Sequence, residues 1–349
     1  MKERLVNLDI IRIFACLCIC IIHFNASVSG YDLTGKFVYE SNSLIPNIWG
    51  EVYLGDIGTG LFFLLSGASL EYVYPNLNLS ISSLKTFYLK RIKAIYPLYL
   101  LTFLGATLLL FHSFNPHSLY YLPFSLIGLD GFLATVGFHQ AGMYYKVGEW
   151  FLGCIIGCII CIYAFYPFIS YSFHRNPKMT ALIIFVIYAV FIHHMNPAWF
   201  FFQFPYIILG MAWIRYWKTA KNGYLWVFTG IAIIVRIAFS LYLASWTKAL
   251  VMNWTIFMFF TLIYEYCPIK NKYVLDKIKW YSFLTYPIFL VHHQIICHIC
   301  QHLDVAYWAY WKTLILFILY MLCTIITSSF VVYIYNRMGH SVRKYSLSK

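Results

Sequence analysis

The feature that most limits the fold of this chain is a series of apolar runs, each of roughly 18 residues or more, with few charges. A helix needs about 20 such residues to cross the roughly 30 Å of hydrocarbon in a bilayer. The composition agrees, because 62% of the residues are hydrophobic and only 11% are charged, whereas soluble domains are typically about a quarter charged. We therefore predict an all-α membrane protein that folds as a single domain over residues 1–349.

The apolar runs predict about ten transmembrane helices. The first run contains Arg12, is too long for the apolar core of a secretory signal and lacks a small-residue cleavage site, so we expect it to be retained as a span. The candidate spans lie near residues 8–28, 55–74, 94–112, 150–170, 179–195, 200–216, 223–244, 247–266, 281–300 and 313–335.

The basic residues predict the orientation of these spans, because cytoplasmic loops of membrane proteins collect Lys and Arg. With the N-terminus inside, 19 of the 25 basic residues fall in cytoplasmic segments and four fall outside, while Arg12 and Arg236 lie within spans. We therefore expect both termini in the cytoplasm. The same bias accounts for the net charge of +13, so we expect no nucleic-acid partner.

The cysteines and a late group of histidines predict neither disulfides nor a metal site. Nearly all of the ten cysteines lie within apolar spans, where free Cys behaves as a small buried hydrophobe. The His and Cys residues of the ninth span are of the types that bind zinc, but helical spacing distributes them around the helix. They are His292, His293, Cys297, His298, Cys300 and His302.

Residues 113–148, between the third and fourth candidate spans, do not fit a simple loop. The stretch LYYLPFSLIGLDGFLATVGF is apolar but is interrupted by Pro123, Gly128, Asp130 and Gly131. Irregular backbone at membrane depth is tolerated only where protein or a wet cavity covers it. We predict a re-entrant or interfacial segment on the outer side; the alternative is an ordinary surface loop that contains some aromatic residues.

The first candidate span carries polar residues along one face. At 100° per residue, Asp9, Arg12, Cys16, His23 and Ser27 fall within an arc of about 60°, and Arg12 and His23 are about 16 Å apart along the axis. Ionisable groups inside a bilayer are costly and are functional candidates by default, and neutral His is the usual general base near pH 7. The structural alternative is that Asp9 and Arg12 extend to the inner interface while His23 is a hydrogen-bonded core residue.

Five motifs, in order along the chain, resemble the acyltransferase 3 family of integral membrane acyltransferases that modify surface glycans. Arg12 and His23 form the R-x10-H pattern of the family's first span. Many members carry a W-S-x-x-x-E signature that is not reproduced after Trp150, and Glu149 precedes the tryptophan instead. The other four motifs are GLFFLLSGASL at 60–70, FYLKRIKAIYPLYL at 87–100, GLDG at 128–131 followed by VGEWFLGCII at 147–156, and YSFLTYPIFLVHH at 281–293.

This resemblance implies an O-acyltransferase that moves an acetyl group from cytosolic acetyl-CoA to a hydroxyl of a cell-surface polysaccharide or its lipid-linked precursor. It implies a multi-pass protein of a bacterial plasma membrane, in contact with membrane lipid and compatible with a homodimer. Acetyl-CoA would act as a co-substrate, so neither a permanently bound cofactor nor a metal is expected.

The resemblance also implies roles for individual residues. His23 would be the catalytic base, in direct attack or through an acyl-enzyme, and Arg12 would orient the donor or carry its negative charge. The donor phosphates would bind a basic stretch that topology alone also explains, namely Lys90, Arg91 and Lys93. The supporting or acceptor-side residues would be Asp9, Ser66, Asp130, Glu149, Trp150 and His292. Ser66 is a candidate nucleophile or hydrogen-bond partner, although Ser-Gly in a span more often marks a close helix contact.

Two other functions fit parts of the sequence. A transporter of the glycan or of an acyl carrier would also have intramembrane charges, but no two-fold hydropathy repeat is evident. A structural or assembly subunit would leave the polar face of the first span without an explanation. Release of free coenzyme A in the presence of an acceptor would distinguish the enzyme from both alternatives.

Overall fold

The computed structural model of the protein describes residues 3–30, 43–75, 77–109, 122–129, 162–192, 200–217, 223–303, 305 and 308–347. The regular secondary structure in these ranges is helical apart from one short hairpin, formed by β1 (Ile48–Trp49) and β2 (Val52–Tyr53). A short 3-10 helix covers Phe200–Gln203. The α-helices are α1 (Val6–Val28), α2 (Leu54–Val73), α3 (Ile81–Leu109), α4 (Leu122–Leu126), α5 (Ile162–Arg175), α6 (Pro177–Phe191), α7 (Phe204–Trp217), α8 (Gly223–Ala238), α9 (Ser245–Tyr266), α10 (Lys272–Gln301) and α11 (Tyr310–Leu347).

Four helices in the described ranges are long and apolar enough to cross a membrane, so the protein is an all-α membrane protein. Helix α6 and the Trp226–Ala238 part of α8 are apolar but shorter. The total of ten spans and the cytoplasmic location of the termini stay predictions. The four long helices are Val6–Val28, Ser245–Tyr266, Lys272–Gln301 and Tyr310–Met338.

Three helices continue well beyond the apolar runs that predicted them. Helix α3 begins at Ile81 rather than near residue 94, α10 begins at Lys272 rather than near 281, and α11 continues to Leu347. Each residue added to an existing helix gains one backbone hydrogen bond, whereas forming the first helical turn is unfavourable in free energy. The segment between the second and third candidate spans is therefore helical from Ile81 onward, and the basic stretch lies on a helix.

The contacts divide the chain into two compact units. Unit 1 comprises Met1–Ile19, Asn47–Lys85 and Ile160–Phe283, and unit 2 comprises Cys20–Pro46, Thr86–Ile159 and Leu284–Lys349. Helices α1, α3 and α10 contribute residues to both units. Each unit is described separately below.

In unit 1, two glycines bring the backbones of α2 and α7 together. A Cβ atom at Gly67 would overlap the carbonyl oxygen of Ile207, and a Cβ at Gly210 would overlap the carbonyl oxygen of Leu64. Small residues allow this close approach of two helices in a membrane, where packing rather than the hydrophobic effect drives association. Gly67, from the Ser-Gly pair of the second candidate span, therefore lies at a close helix contact.

We expect Gly67→Ala to destabilise the protein by about 1–3 kcal/mol or more, because the added methyl group meets backbone atoms that cannot rotate away. Thermal unfolding of the purified protein in detergent measures the loss. Gly230→Ala on α8 is the matched control, because a Cβ there has nothing within 4 Å, and its stability should change by less than about 1 kcal/mol. Equal melting temperatures for the two variants would contradict the close contact.

The hairpin of unit 1 is closed by a two-residue turn. Gly50 (φ 52°) and Glu51 (φ 66°) both have positive φ, as a type I′ turn requires. Arg236 on α8 donates a hydrogen bond to the carbonyl of Gly50, which gives a partner to a cation predicted within the seventh span. Lys248 forms an ion pair with Glu51 at 3.1 Å, and Ser240 donates a hydrogen bond to the same carboxylate at 2.7 Å.

In unit 2, the described part of the predicted re-entrant segment packs against α3. The hydroxyl of Tyr96 donates to the carbonyl of Ile127 at 3.1 Å, and that of Tyr99 donates to the carbonyl of Ser125. These tyrosines are 10 to 13 residues from the last residue of α3, Leu109, which is roughly 15–20 Å along its axis. Residues 122–129 therefore lie alongside α3 rather than beyond its end, and tyrosine hydroxyls donate to the carbonyls of Ser125 and Ile127. The rest of 113–148 lies outside the described residues.

Candidate functional site

An arginine cluster in unit 1 surrounds one buried carboxylate. Asp9 lies in the first turn of α1, where the helix dipole favours a negative charge, and it is only 3% exposed. It accepts hydrogen bonds from Arg4 at 2.5 and 3.0 Å, from Arg12 at 3.1 Å and from the hydroxyl of Ser282 at 2.6 Å. Arg12 also contacts the hydroxyls of Ser282 at 3.0 Å and Ser69 at 3.5 Å. One carboxylate therefore orients two guanidinium groups.

The arginine cluster comprises Arg4, Asp9, Arg12, Ser69 and Ser282, and all of these residues except Ser282 border a groove of about 460 Å³. Side chains of α1 and α2 line the groove together with the residues before α1. The guanidinium-bearing side chain of Arg12 is 28% exposed and that of Arg4 is 47% exposed, whereas Asp9 is covered. Guanidinium groups bind phosphates and carboxylates through paired hydrogen bonds. The groove thus has the guanidinium groups of Arg4 and Arg12 on its wall, beside the carboxylates of Asp9 and Glu3.

A histidine cluster in unit 2 joins α1 to α10. His23 is partly exposed, and the centroid of its ring lies 4.5 Å from that of His293 and 5.0 Å from that of His292. The latter two side chains are buried. They are consecutive in sequence, and both meet the same ring of α1. The histidine cluster (His23, His292 and His293) is therefore formed by helix packing.

The hydrogen bonds of His292 define its tautomer. Its Nδ1 lies 2.9 Å from the carbonyl oxygen of Phe289 and 3.2 Å from that of Ile288. Carbonyls only accept, so Nδ1 must carry the hydrogen, as inferred from these contacts. The other nitrogen, Nε2, is then an acceptor, and it is buried without a hydrogen-bond donor among the described residues. This imidazole can accept a hydrogen bond beside His23.

The end of α1 that bears His23 is fixed by a buried amide. Asn25 accepts a hydrogen bond from the backbone N–H of Leu44 at 2.8 Å and donates to the carbonyl of Ile45 at 2.9 Å. Ser27 lies one turn beyond His23, with its hydroxyl 3.9 Å from the sulfur of Cys297. The polar face predicted for α1 therefore contacts protein in unit 2, as it does in unit 1 through Asp9 and Arg12.

The other predicted site residues take different positions. Lys90 and Lys93 are exposed on α3 and Arg91 is partly buried there, all within unit 2. Ser66 on α2 donates its hydroxyl to the carbonyl of Phe62 in its own helix at 2.8 Å. The predictions for Asp130, Glu149 and Trp150 lie outside the described residues.

Several polar contacts were not predicted from the sequence. Glu71 is buried at the end of α2, 2.7 Å from Nε2 of His174 on α5. Arg4 was counted only as a topology signal, although it holds Asp9. Ser282 lies inside the motif at 281–293 and could have been selected on that basis, whereas no local pattern distinguishes Glu71. Within the described ranges, no group of three His, Cys, Asp or Glu residues could hold a metal ion.

The spanning helices define an integral membrane protein, and both clusters place ionisable side chains on those helices. The sequence profile of the acyltransferase 3 family, described as an acyltransferase domain, matches residues 5–333, nearly the whole chain. The chain belongs to this family and is a membrane acyltransferase. A search of curated proteins and a search of solved structures gave no significant match.

Proposed function

We propose that this acyltransferase moves an acetyl group from acetyl-CoA to a hydroxyl of a cell-surface polysaccharide or its lipid-linked precursor, in the plasma membrane of a bacterium. The observation that carries the proposal is the histidine cluster, which supports His23 as a base on a helix that matches the family pattern. His23 is partly exposed whereas His292 and His293 are buried, so of the three rings it is the one that a substrate can reach.

In the proposed reaction, an unprotonated nitrogen of His23 removes the proton of the acceptor hydroxyl as its oxygen attacks the thioester carbonyl. The C–O bond forms, the C–S bond breaks, and the departing sulfur of coenzyme A receives the proton from His23. General base catalysis of this kind contributes typically 10²- to 10⁴-fold in rate. His292 and His293 keep the ring of His23 in place by contact and burial.

The anionic parts of the donor require cations. Lys90, Arg91 and Lys93 lie on α3 within unit 2, the unit that also holds His23, and they supply charges for the phosphates. Arg12 supplies a further guanidinium in unit 1, already oriented by Asp9 and Ser282. Phosphate recognition by fixed guanidinium groups is favourable because little side-chain freedom is lost on binding.

The direct test uses purified protein, acetyl-CoA and cell-envelope glycan prepared from a strain that lacks the protein. We expect free coenzyme A to appear only when both substrates are present, and mass spectrometry of the glycan to show an added acetyl group. Release of coenzyme A without acetyl on the glycan would mean a different acceptor. No coenzyme A release with any glycan fraction would contradict the proposed reaction and would favour transport.

We expect the double reversal Arg91→Glu/Lys93→Glu to raise the apparent KM for acetyl-CoA on the order of tenfold or more, because a hydrogen bond to a charged group contributes about 1.5–3 kcal/mol. The kcat should change much less, since these residues are not at the reacting atoms. Lys272→Glu, an exposed charge reversal at the start of α10, controls for nonspecific electrostatic effects. An unaltered KM in the double variant would leave the basic stretch as a topology signal.

A further inference from the structure

A second cavity, in unit 1, is separate from both clusters and has no role in the reaction proposed above. It has a volume of about 460 Å³ and lies between α6, α8 and α9, within the range typical of small-molecule sites. Its walls are almost entirely apolar, from Leu243 and Ala244 at one end to Phe228 and Trp254 at the other. Such a cavity suits a hydrocarbon chain.

The helices around this cavity present apolar surface to their surroundings. Val186 and Val190 on α6 and Val227 and Ile231 on α8 are each at least half exposed, which is the pattern of helices that face lipid. The cavity residues Thr247 and Trp254 on α9 are seven positions apart, about 10 Å along its axis. The cavity is therefore deep enough for a substantial part of a lipid tail.

Two cations lie at the end of the cavity marked by Thr247. Lys248 is the next residue on α9, and Arg236 lies one turn beyond the cavity residue Ala232 on α8. Glu51 is the carboxylate that faces them, and hydrogen bonds from Ser240 and then Lys248 lower its pKa, so it is ionised at neutral pH. Two positive charges against one negative charge leave this end cationic.

The guanidinium of Arg236 has donor capacity to spare. One of its terminal nitrogens donates to the carbonyl of Gly50, while its Nε is buried and has no hydrogen-bond acceptor within the described ranges. A phosphate oxygen would satisfy this group, and the ammonium of Lys248 has three donors of which one is used by Glu51. The apolar cavity thus matches the acyl chain of an anionic lipid, and its cationic end matches the phosphate of the headgroup.

We propose that this cavity binds one acyl chain of an anionic glycerophospholipid of the membrane, with the phosphate at Arg236 and Lys248. The bilayer supplies this ligand at high concentration, and surface cations attract anionic headgroups at about 1 kcal/mol each. The bound lipid would tie the hairpin to α8 and α9 through the same two side chains. This site is independent of acyl transfer.

Native mass spectrometry of the purified protein tests the site directly. The probes are phosphatidylglycerol and phosphatidylcholine with the same two acyl chains, added at equal concentration to delipidated protein. We expect one molecule of phosphatidylglycerol to be retained in preference to phosphatidylcholine. Arg236→Gln/Lys248→Gln should reduce that preference on the order of tenfold, whereas Lys272→Gln should preserve it.

A pair of variants on α8 tests binding of the acyl chain separately from binding of the charged headgroup. Ala232→Phe fills the cavity, whereas Ile231→Phe, one position earlier on α8, adds bulk to a side chain that does not line it. We expect the first variant to lose retained lipid of both kinds and the second to bind as the wild type does. If thermal unfolding shows that Ala232→Phe is not folded, Ala189→Phe on α6 replaces it, because Ala189 lines the same cavity.

Three results would overturn this proposal. One is that the wild-type protein retains no phosphatidylglycerol. Another is that the folded cavity-filling variant retains as much phosphatidylglycerol as the wild type. The third is displacement of phosphatidylglycerol by an equal concentration of decaprenyl phosphate, which would assign the site to an isoprenoid phosphate. The coenzyme A assay decides the proposed reaction separately, so failure of one proposal is distinguishable from failure of the other.

Discussion

We expect His23→Ala to abolish release of coenzyme A while the protein remains folded. The ring of His23 is the partly exposed member of the histidine cluster, and without it no base removes the proton of the acceptor hydroxyl. A positioned general base contributes typically 10²- to 10⁴-fold, so kcat should fall by at least about 100-fold. The measurement is steady-state release of coenzyme A at saturating acetyl-CoA and acceptor.

A conservative variant of His23 distinguishes loss of the catalytic base from loss of side-chain packing. His23→Gln keeps a polar side chain of similar length, so it should retain the melting temperature but not the activity. His302→Ala is the matched control, because His302 is an exposed histidine directly after α10 and should leave kcat unchanged. Turnover of His23→Gln within threefold of the wild type would remove His23 from the mechanism.

We expect Asp9→Asn to impair both stability and donor binding. Its carboxylate holds Arg4, Arg12 and the Ser282 hydroxyl, and breaking a fully buried ion pair costs about 3–5 kcal/mol. Because the side chains of Arg4 and Arg12 are 47% and 28% exposed, solvent compensates part of this loss, and about 1–3 kcal/mol is expected. Arg12 then loses its orientation, so the KM for acetyl-CoA should rise on the order of tenfold.

Thermal unfolding and the kinetics of coenzyme A release measure the two effects. Asp276→Asn is the control, because the Asp276 side chain is 57% exposed and meets only Lys279, at 3.2 Å, among the ion pairs of the described residues. An exposed pair of this kind contributes about 0–1 kcal/mol. A role of Asp9 in stability alone predicts a lower melting temperature with an unchanged KM, which would contradict its role in orienting Arg12.

Two contacts of unit 1 join segments that the basic residues assign to the same side of the membrane, while the orientation itself stays a prediction. Tyr72 of α2 donates to the carbonyl of Glu3 at 2.6 Å, so the end of α2 meets the N-terminal segment on the side predicted as cytoplasmic. Lys248 meets Glu51, and both are predicted outside. Both contacts therefore join segments that charge assigns to one side.

The sequence by itself determined that this protein resides in a membrane, which family it belongs to, and that Asp9, Arg12, His23 and Ser27 share one face of the first span. The family follows from the order of short motifs, and the other two conclusions depend on local quantities, namely the length of apolar runs and the angle per residue of a helix. Both are set by the chain without reference to other segments. The Ser-Gly pair in the motif at 60–70 likewise indicated the close helix contact that Gly67 makes.

Only the tertiary structure decided which groups meet that face. It placed Arg4 and Ser282 on Asp9, His292 and His293 around His23, and Glu71 beside His174. These pairs are far apart in sequence or lack any periodic pattern, so no local rule selects them. Their geometry arises when helices pack, because each buried polar group must then find a partner on another segment, and that partner is chosen by the fold rather than by sequence distance.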